Sequence, residues 1–200
     1  MSNIQKTNTK NLIMVYIMDL SMIEVETKLK IDGIEHIEER VKELTGDYKG
    51  EKTEIDLYFD HPNIQILSGG GALRVRDTGG KYRLTYKGPK KDDETTSRTE
   101  IEIGIESARE MIKILDELGF YKICAVKKLR KTYILEGLVI TLDNVADMGE
   151  FIEVEGKAND DREFKEKKDE IFKLLKKLGL STDAISKRSY LEMLLDAKRG

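Results

Sequence analysis

Several residue types that build familiar protein sites are scarce in this chain of 200 residues. It has one cysteine, two histidines and no tryptophan. The single Cys124 excludes an internal disulfide framework and a cysteine-based zinc site, and His36 and His61 are too few for a histidine-rich metal site. Because low cysteine usage fits a reducing compartment, we expect a cytoplasmic protein.

Net charge of one sign and long hydrophobic runs are also missing. The 35 Lys and Arg residues nearly balance the 38 Asp and Glu residues, so no overall basic field attracts nucleic acid and we predict no nucleic-acid partner. The strongly apolar run Leu12–Met18 is too short to span a bilayer, so we predict no membrane partner. We interpret residues 1–21 as an N-terminal extension that is flexible or forms an added edge strand. The oligomeric state stays open, with a homodimer as one option.

What the chain does contain is charge that alternates with apolar residues at a period of two, the pattern of half-buried β-strands. Charged residues make up 36% of the chain. We predict eight strands, which lie at Met22–Ile31, Lys52–Phe59, Ala72–Arg76, Lys81–Lys87, Arg98–Ile103, Lys122–Leu135, Leu138–Val145 and Phe151–Glu155.

Three of these strands carry a Glu-x-Glu pattern and lead into an amphipathic helix. We expect the first helix to start at a capping box of Asp32 and Glu35, and the second at Ser107 with Glu110. The third is predicted over Arg162–Leu178, and a short terminal helix over Tyr190–Leu195. Eight strands with helices inserted after only three of them favour a covered antiparallel barrel over alternating βαβ units.

The polar face of the strands has two interpretations. In an ordinary sheet such a face is solvated. Here, however, the helices carry strong apolar stripes, which would have nothing apolar to cover if the apolar face were the barrel interior. We therefore expect the charged residues to line a lumen, where unlike charges pair. This face comprises Glu24, Glu26, Lys28, Arg74, Arg76, Arg83, Lys87, Arg98, Glu100, Glu102, Lys128, Arg130, Asp143, Glu153 and Glu155.

The inventory of this face indicates its chemistry. Arginine and lysine side chains suit phosphate oxygens, and grouped carboxylates suit Mg²⁺ or Mn²⁺, which prefer hard oxygen ligands. The combination predicts a polyphosphate bound together with a divalent metal. The run Gly69–Gly71 precedes a strand and lacks a Walker lysine, so we interpret it as a turn.

The segment Glu24-Val-Glu-Thr-Lys28 resembles the Glu-x-Glu-x-Lys signature of the CYTH, or triphosphate tunnel metalloenzyme, superfamily. The resemblance runs from about Met22 to Leu195 and is nearest to the class IV adenylate cyclase (CyaB-type) branch. Its further motifs are Asp56–Asp60, Ala72–Arg76, Leu84–Pro89, Arg98–Glu102, Lys128–Arg130, Leu142–Asp143 and Gly149–Glu155.

The resemblance implies an α+β, mainly β fold: an eight-stranded antiparallel closed β-barrel, a tunnel with a charged lumen, covered by three to four helices in a single domain of residues 22–196. It also implies roles for the lumen residues. The implied metal ligands for Mg²⁺ or Mn²⁺ are Glu24, Glu26, Asp143, Glu153 and Glu155. The implied triphosphate-binding residues are Arg74, Arg76, Lys87, Arg98, Lys128 and Arg130, and the implied catalytic residues are Lys28, Arg130, Glu100 and Glu102.

The implied reaction is the conversion of ATP to cyclic AMP and pyrophosphate. One alternative is hydrolysis of inorganic triphosphate, thiamine triphosphate or a nucleoside triphosphate, in which Lys28 would help to deprotonate water. Another is a non-catalytic polyphosphate or nucleotide binding protein. Intact glutamates in the acidic strands favour an enzyme, because phosphate binding alone would not place carboxylates in the lumen.

Overall fold

The computed structural model describes residues 22–197, so the predicted extension 1–21 lies outside the described residues. The strands are β1 Met22–Ile31, β2 Asp47–Asp60, β3 Ala72–Thr78, β4 Lys81–Lys90, β5 Arg98–Ile105, β6 Tyr121–Leu135, β7 Leu138–Val145 and β8 Gly149–Ala158. The helices are α1 Ile34–Glu43, α2 Ala108–Glu117, α3 Asp161–Lys177 and α4 Tyr190–Ala197, with a 3₁₀ turn at Thr182–Ala184. Among residues 22–197, no helix is both long and apolar enough to cross a membrane.

The eight strands form one closed antiparallel barrel in the order β1-β5-β4-β3-β2-β6-β7-β8. Closure joins the first and last strands of the described residues, because β8 pairs along nearly the whole of β1. On its other side β1 pairs with β5 only over Met22–Glu24. The predicted closed barrel with three to four helices is confirmed.

The apolar side of the strands faces outward under the helices. The largest hydrophobic cluster joins β1, β6, β7 and β8 to α1 and α3, and Ile171, Leu174 and Leu175 of α3 are fully buried in it. Each such side chain stabilises the fold by about 1.5–3 kcal/mol. The charged residues are left on the inner side, as the alternation predicts.

The two remaining helices cover other parts of the barrel. The Ser107 hydroxyl caps α2 by accepting from the Glu110 N–H at 3.2 Å, as predicted, and Leu115 packs with Val75 of β3 outside the barrel. At α4, Tyr190 packs against Phe151. Phe151 lies on the same side of β8 as Glu153 and Glu155, so α4 covers one end of the barrel interior.

The expected capping box at α1 is wrong. The helix begins at Ile34 after Gly33, whose φ of 86° places it in the left-handed region, and no side chain of the first helix caps it. Instead, the Glu150 carboxylate of β8 accepts from the Gly33 N–H at 3.1 Å and the Ile34 N–H at 2.9 Å. A residue 116 positions after Ile34 therefore accepts hydrogen bonds from the N–H groups at the start of the helix. The local sequence pattern could not indicate this partner.

Several strands are also longer than predicted. We expected β2 to start at Lys52, but it starts at Asp47, where it pairs with Ile134. The added part contains a register shift next to Gly50, whose φ of 121° is favoured only by glycine. This irregularity interrupts the alternation and conceals the start of the strand.

Candidate active site in the barrel lumen

The barrel interior holds a cavity of about 520 Å³ lined mostly by charged side chains. Every residue predicted for the site lines it except Asp143, which is fully buried behind the lining. The predicted residues on the lining are Glu24, Glu26, Lys28, Arg74, Arg76, Lys87, Arg98, Glu100, Glu102, Lys128, Arg130, Glu153 and Glu155.

Three carboxylates converge on one side of the cavity. Glu24, Glu26 and Glu155 each offer an oxygen, and these oxygens lie within 4.8 Å of one another. The register explains the grouping, because Glu155 of β8 is directly opposite Glu26 of β1. Burial, together with the nearby charges of Glu24 and Glu26, raises the pKa of Glu155 to about 8. The cations near the acidic trio, as we call these three residues, therefore do not offset the negative charge around Glu155.

Glu153 lies two residues before Glu155 on the same face of β8, but its electrostatic environment is different. It is opposite Lys28 in the β1–β8 register and forms ion pairs with Lys28 and Arg130. Burial alone would raise the pKa of Glu153, but Lys28 and Arg130 hold it well below the usual range. Glu153 is thus charge-compensated within the chain and is not part of the acidic trio.

Asp143 is likewise held by a cation. Arg130 donates from Nε to Asp143 Oδ1 at 2.6 Å and from a terminal nitrogen to the second oxygen. The Tyr190 hydroxyl donates to the same carboxylate at 2.9 Å. The predicted metal ligands therefore divide into the acidic trio and two carboxylates that orient Arg130.

Lys28 sits between acidic and aromatic partners. Its Nζ donates to Glu26 Oε1 at 3.0 Å and lies 4.2 Å from the centre of the Tyr190 ring. Although burial alone would lower the pKa of Lys28, Glu153 and Glu26 raise it above its ordinary value. Lys28 is therefore held protonated, which argues against the water-deprotonating role predicted for it.

A basic group lies elsewhere on the lining. Arg76 makes a two-point contact with Asp56, at 2.6 and 2.8 Å. Lys128 is 3.5 Å from Glu54 Oε2 and equally close to Asp143. Even so, burial and the neighbouring Arg130 lower the pKa of Lys128. The pKa of Lys128 is thus lowered although Glu54 and Asp143 lie close to it, so a further anion here would stabilise its charged form.

Glu54 and Asp56 are components of the site that sequence reasoning did not assign. Both are at most 2% exposed and pair with the basic side chains. Their position on one face of β2 with Lys52 was a usable signal, because that face has the same alternation as the assigned strands. Tyr190 was missed because it lies at a helix start, where no strand alternation applies.

Glu100 and Glu102 lie next to basic side chains. Lys87 Nζ is 2.7 Å from Glu100 and 2.8 Å from Glu24, so it links β5 to the acidic trio. Glu102 accepts from the Thr85 hydroxyl at 3.0 Å and pairs with Arg83. Burial alone would raise the pKa of each glutamate, but these donors and the nearby Arg74 lower it.

Two further arginines complete the lining. Arg74 is 9% exposed in its side chain and is 3.6 Å from Asp56 and 3.8 Å from Glu100. Arg98 donates from Nε to the Thr96 carbonyl at 3.2 Å. Neither guanidinium has a two-point contact with a carboxylate among the described residues, so both retain donors for a ligand.

The donor set of the acidic trio fits a divalent cation. Its hard carboxylate oxygens are the ligands that Mg²⁺ and Mn²⁺ prefer, and its crowded negative charge needs compensation. The basic side chains fit the oxygens of a phosphate chain. The cavity can therefore bind a metal and a polyphosphate side by side.

Comparison with known proteins agrees with this geometry. The CYTH domain family matches residues 22–190. A Methanocaldococcus jannaschii protein with the provisional name adenylate cyclase is 37% identical over 172 residues, covering 86% of this chain and 98% of its own. Adenylate cyclase CyaB of Aeromonas hydrophila is 26% identical over 170 residues, covering 84% of this chain and 86% of its own.

A solved structure from Pyrococcus horikoshii superimposes with a TM-score of 0.79 at 37% identity, covering 87% of this chain and 99% of its own. The match over residues 22–190 spans all eight strands of the barrel, and the chain belongs to the CYTH family.

Proposed function

We propose that this protein performs divalent-metal-dependent chemistry on a triphosphate, converting ATP to cyclic AMP and pyrophosphate. The observation that supports this best is that one cavity holds both converging carboxylates and several cationic side chains. The oxygens of Glu24, Glu26 and Glu155 lie within 4.8 Å of one another, and Arg74, Arg76, Lys128 and Arg130 line the same cavity. A triphosphate that binds with a divalent cation would use both groups at once.

In this proposal Glu24, Glu26 and Glu155 hold Mg²⁺ or Mn²⁺. The bound ion supplies Lewis-acid chemistry that lowers the pKa of an attacking oxygen and offsets charge on the phosphate. Asp143 and Glu153, which the family resemblance implied as ligands, instead fix the orientation of Arg130 and Lys28.

The basic residues bind and orient the phosphate chain. Arg74, Arg76, Lys128 and Arg130 line the cavity and offset the negative charge that grows on the leaving pyrophosphate. The ribose 3′-hydroxyl attacks the α-phosphorus, the bond to the bridging oxygen breaks, and the hydroxyl proton leaves to water. Glu100 and Glu102 keep lowered pKa values, so they act as ionised carboxylates that hold Lys87 and Arg83.

Hydrolysis of a triphosphate is the second candidate. The composition of the lining favours it, because Tyr58 and Tyr190 are the only aromatic side chains of the described residues that line the cavity. A substrate without a nucleobase would need no further aromatic side chain in the cavity. Since Lys28 is held protonated, it would bind a phosphate oxygen in this reaction and would not deprotonate the water.

Product analysis separates the candidates. The purified protein is incubated with Mg²⁺ or Mn²⁺ and either ATP or tripolyphosphate, and products are followed by ³¹P NMR and nucleotide chromatography. Cyclic AMP with pyrophosphate from ATP is the expected result, whereas ADP with orthophosphate from ATP, or pyrophosphate with orthophosphate from tripolyphosphate, would favour hydrolysis. Binding without turnover would support the third option, a non-catalytic binding protein.

A matched pair of variants tests whether turnover depends on the side chains of the lumen. Lys128→Ala removes a cation from the cavity, and Lys127→Ala removes the neighbouring exposed cation. We expect turnover to fall at least 100-fold in K128A and to stay near the wild-type level in K127A. Cytoplasmic location and a homodimer remain predictions made from the sequence.

A further inference from the structure

A loop outside the predicted site is attached to a residue of the acidic trio. Residues 91–97 connect β4 to β5, and Thr95, Thr96 and Ser97 in this loop are at most 4% exposed. Three consecutive small polar side chains are rarely so buried unless their hydroxyl groups have partners. The partners here converge on Glu26 of β1.

Four contacts join Glu26 to the loop. Its N–H donates to Ser97 Oγ at 3.0 Å, and its carbonyl accepts from the Thr96 N–H at 3.1 Å. The Thr96 hydroxyl donates to Glu26 Oε1 at 2.8 Å and lies at the longer distance of 3.3 Å from the Glu26 carbonyl. Both the main chain and the carboxylate of Glu26 are therefore fixed by two adjacent loop residues.

The same carboxylate oxygen has a second donor. Lys28 Nζ donates to Glu26 Oε1 at 3.0 Å, so this oxygen accepts from Thr96 and Lys28 together. Two donors use the in-plane lone pairs of one oxygen, so Oε2, which lies 3.9 Å from Lys87 Nζ, is the oxygen available for a ligand.

The loop itself is anchored to the outside of the barrel. Asp92 Oδ1 accepts from the Thr95 N–H and hydroxyl, each at 2.8 Å, and Asp92 Oδ2 accepts from Lys168 of α3 at 2.9 Å. Because α3 packs on the barrel through its fully buried apolar stripe, the loop has a rigid support. Thr96 therefore presents its hydroxyl in a fixed position.

We propose that Thr96 is a positioning residue for metal binding, whose hydroxyl holds one oxygen of Glu26 so that the other faces Glu24 and Glu155. This inference rests on the proposed function, because it assumes that the acidic trio binds a divalent cation. Residues that orient metal ligands typically change metal affinity by about 10-fold to 100-fold when they are removed. The expected change is therefore in metal affinity and not in direct contacts to the substrate.

The test measures Mn²⁺ binding to the full chain directly, by calorimetry and by electron paramagnetic resonance of free Mn²⁺. Thr96→Val keeps the shape of the side chain and removes the hydroxyl, so we expect Mn²⁺ affinity to fall about 10-fold. Thr96→Ser restores the hydroxyl and should recover most of that loss.

Thr27→Val is the matched control. Thr27 is also fully buried and adjacent to Glu26, but its hydroxyl donates to the Val154 carbonyl at 3.4 Å and not to a carboxylate. We expect T27V to bind Mn²⁺ as the wild type does. Its thermal unfolding shows what loss of a buried hydroxyl does to stability alone.

The outcomes separate the two levels of inference. Wild-type Mn²⁺ binding with unchanged affinity in T96V overturns the role of Thr96 and leaves the proposed function standing. A T96S protein as weak as T96V also overturns it, because the hydroxyl would then not be the cause. Failure of the wild type to bind Mn²⁺ overturns both proposals.

Discussion

Glu153 and Glu155 follow each other on one face of β8 but have opposite electrostatic environments. Lys28 and Arg130 compensate Glu153, whereas Glu155 lies beside Glu24 and Glu26. The β1–β8 register is the cause, since it sets Glu153 opposite Lys28 and Glu155 opposite Glu26. Alternation in the sequence places both glutamates in the lumen, but it does not fix the register between strands so far apart in the chain.

This difference predicts opposite effects of two identical substitutions. Glu153→Gln removes the carboxylate partner of two buried cations, so we expect the free energy of unfolding to fall by about 2–4 kcal/mol. Glu155→Gln relieves repulsion within the acidic trio, and we expect no decrease. Urea unfolding at pH 7.5 with a chelator measures both. Equal destabilisation by the two variants would contradict the charge pattern that we describe.

The sequence pattern predicted which segments form strands and helices better than it predicted the residues at which those elements begin and end. The central parts of all eight strands follow from alternation, and α3 follows from its apolar stripe. Ends depend on distant partners: α1 takes its cap from Glu150 of β8, and β2 continues past a bulge at Gly50 because β6 pairs with it. These partners become neighbours only when the barrel closes.

The cap of α1 gives a test at this scale. Glu150→Ala removes the acceptor for the Gly33 and Ile34 N–H groups, and we expect a loss of about 1 kcal/mol in the free energy of unfolding. Asp32→Ala changes the residue that sequence pattern favoured as the cap, and it should cost less than half as much. Chemical unfolding of both variants decides between them. A larger loss of unfolding free energy in D32A than in E150A would show that Asp32, and not Glu150, caps the helix.

At the scale of the whole molecule, most charges in the lumen are paired locally, but the carboxylates of the acidic trio converge on one side of it. Cation and anion should therefore bind at separate residues and stabilise the fold through separate contacts. The alternation predicted which residues face inward. It could not predict the separation of the two binding regions, because Glu54 and Asp56, which were not assigned to the site, form ion pairs with Arg76 and Lys128.

Ligand-induced stabilisation can show the separation. Saturating Mn²⁺ at about 100 times its dissociation constant should stabilise the wild type by about 2.7 kcal/mol. Glu155→Gln should lose most of this gain and keep the gain from tripolyphosphate alone, whereas Lys128→Met should show the reverse. Thermal unfolding with each ligand measures both shifts, with Lys127→Met as the exterior control. Parallel loss of both gains in either variant would mean that the lumen acts as one site.

The acidic trio draws its residues from the first and last strands of the barrel. During synthesis the ribosome releases β1 long before β8, so a nascent chain carries Glu24 and Glu26 without Glu155. In the proposed function, the capacity to bind metal thus arrives with the closing strand, and a fragment that ends before Gly149 lacks it even if its other strands pair. For this architecture, Mn²⁺ binding would report that β8 has been synthesised and that the barrel has closed.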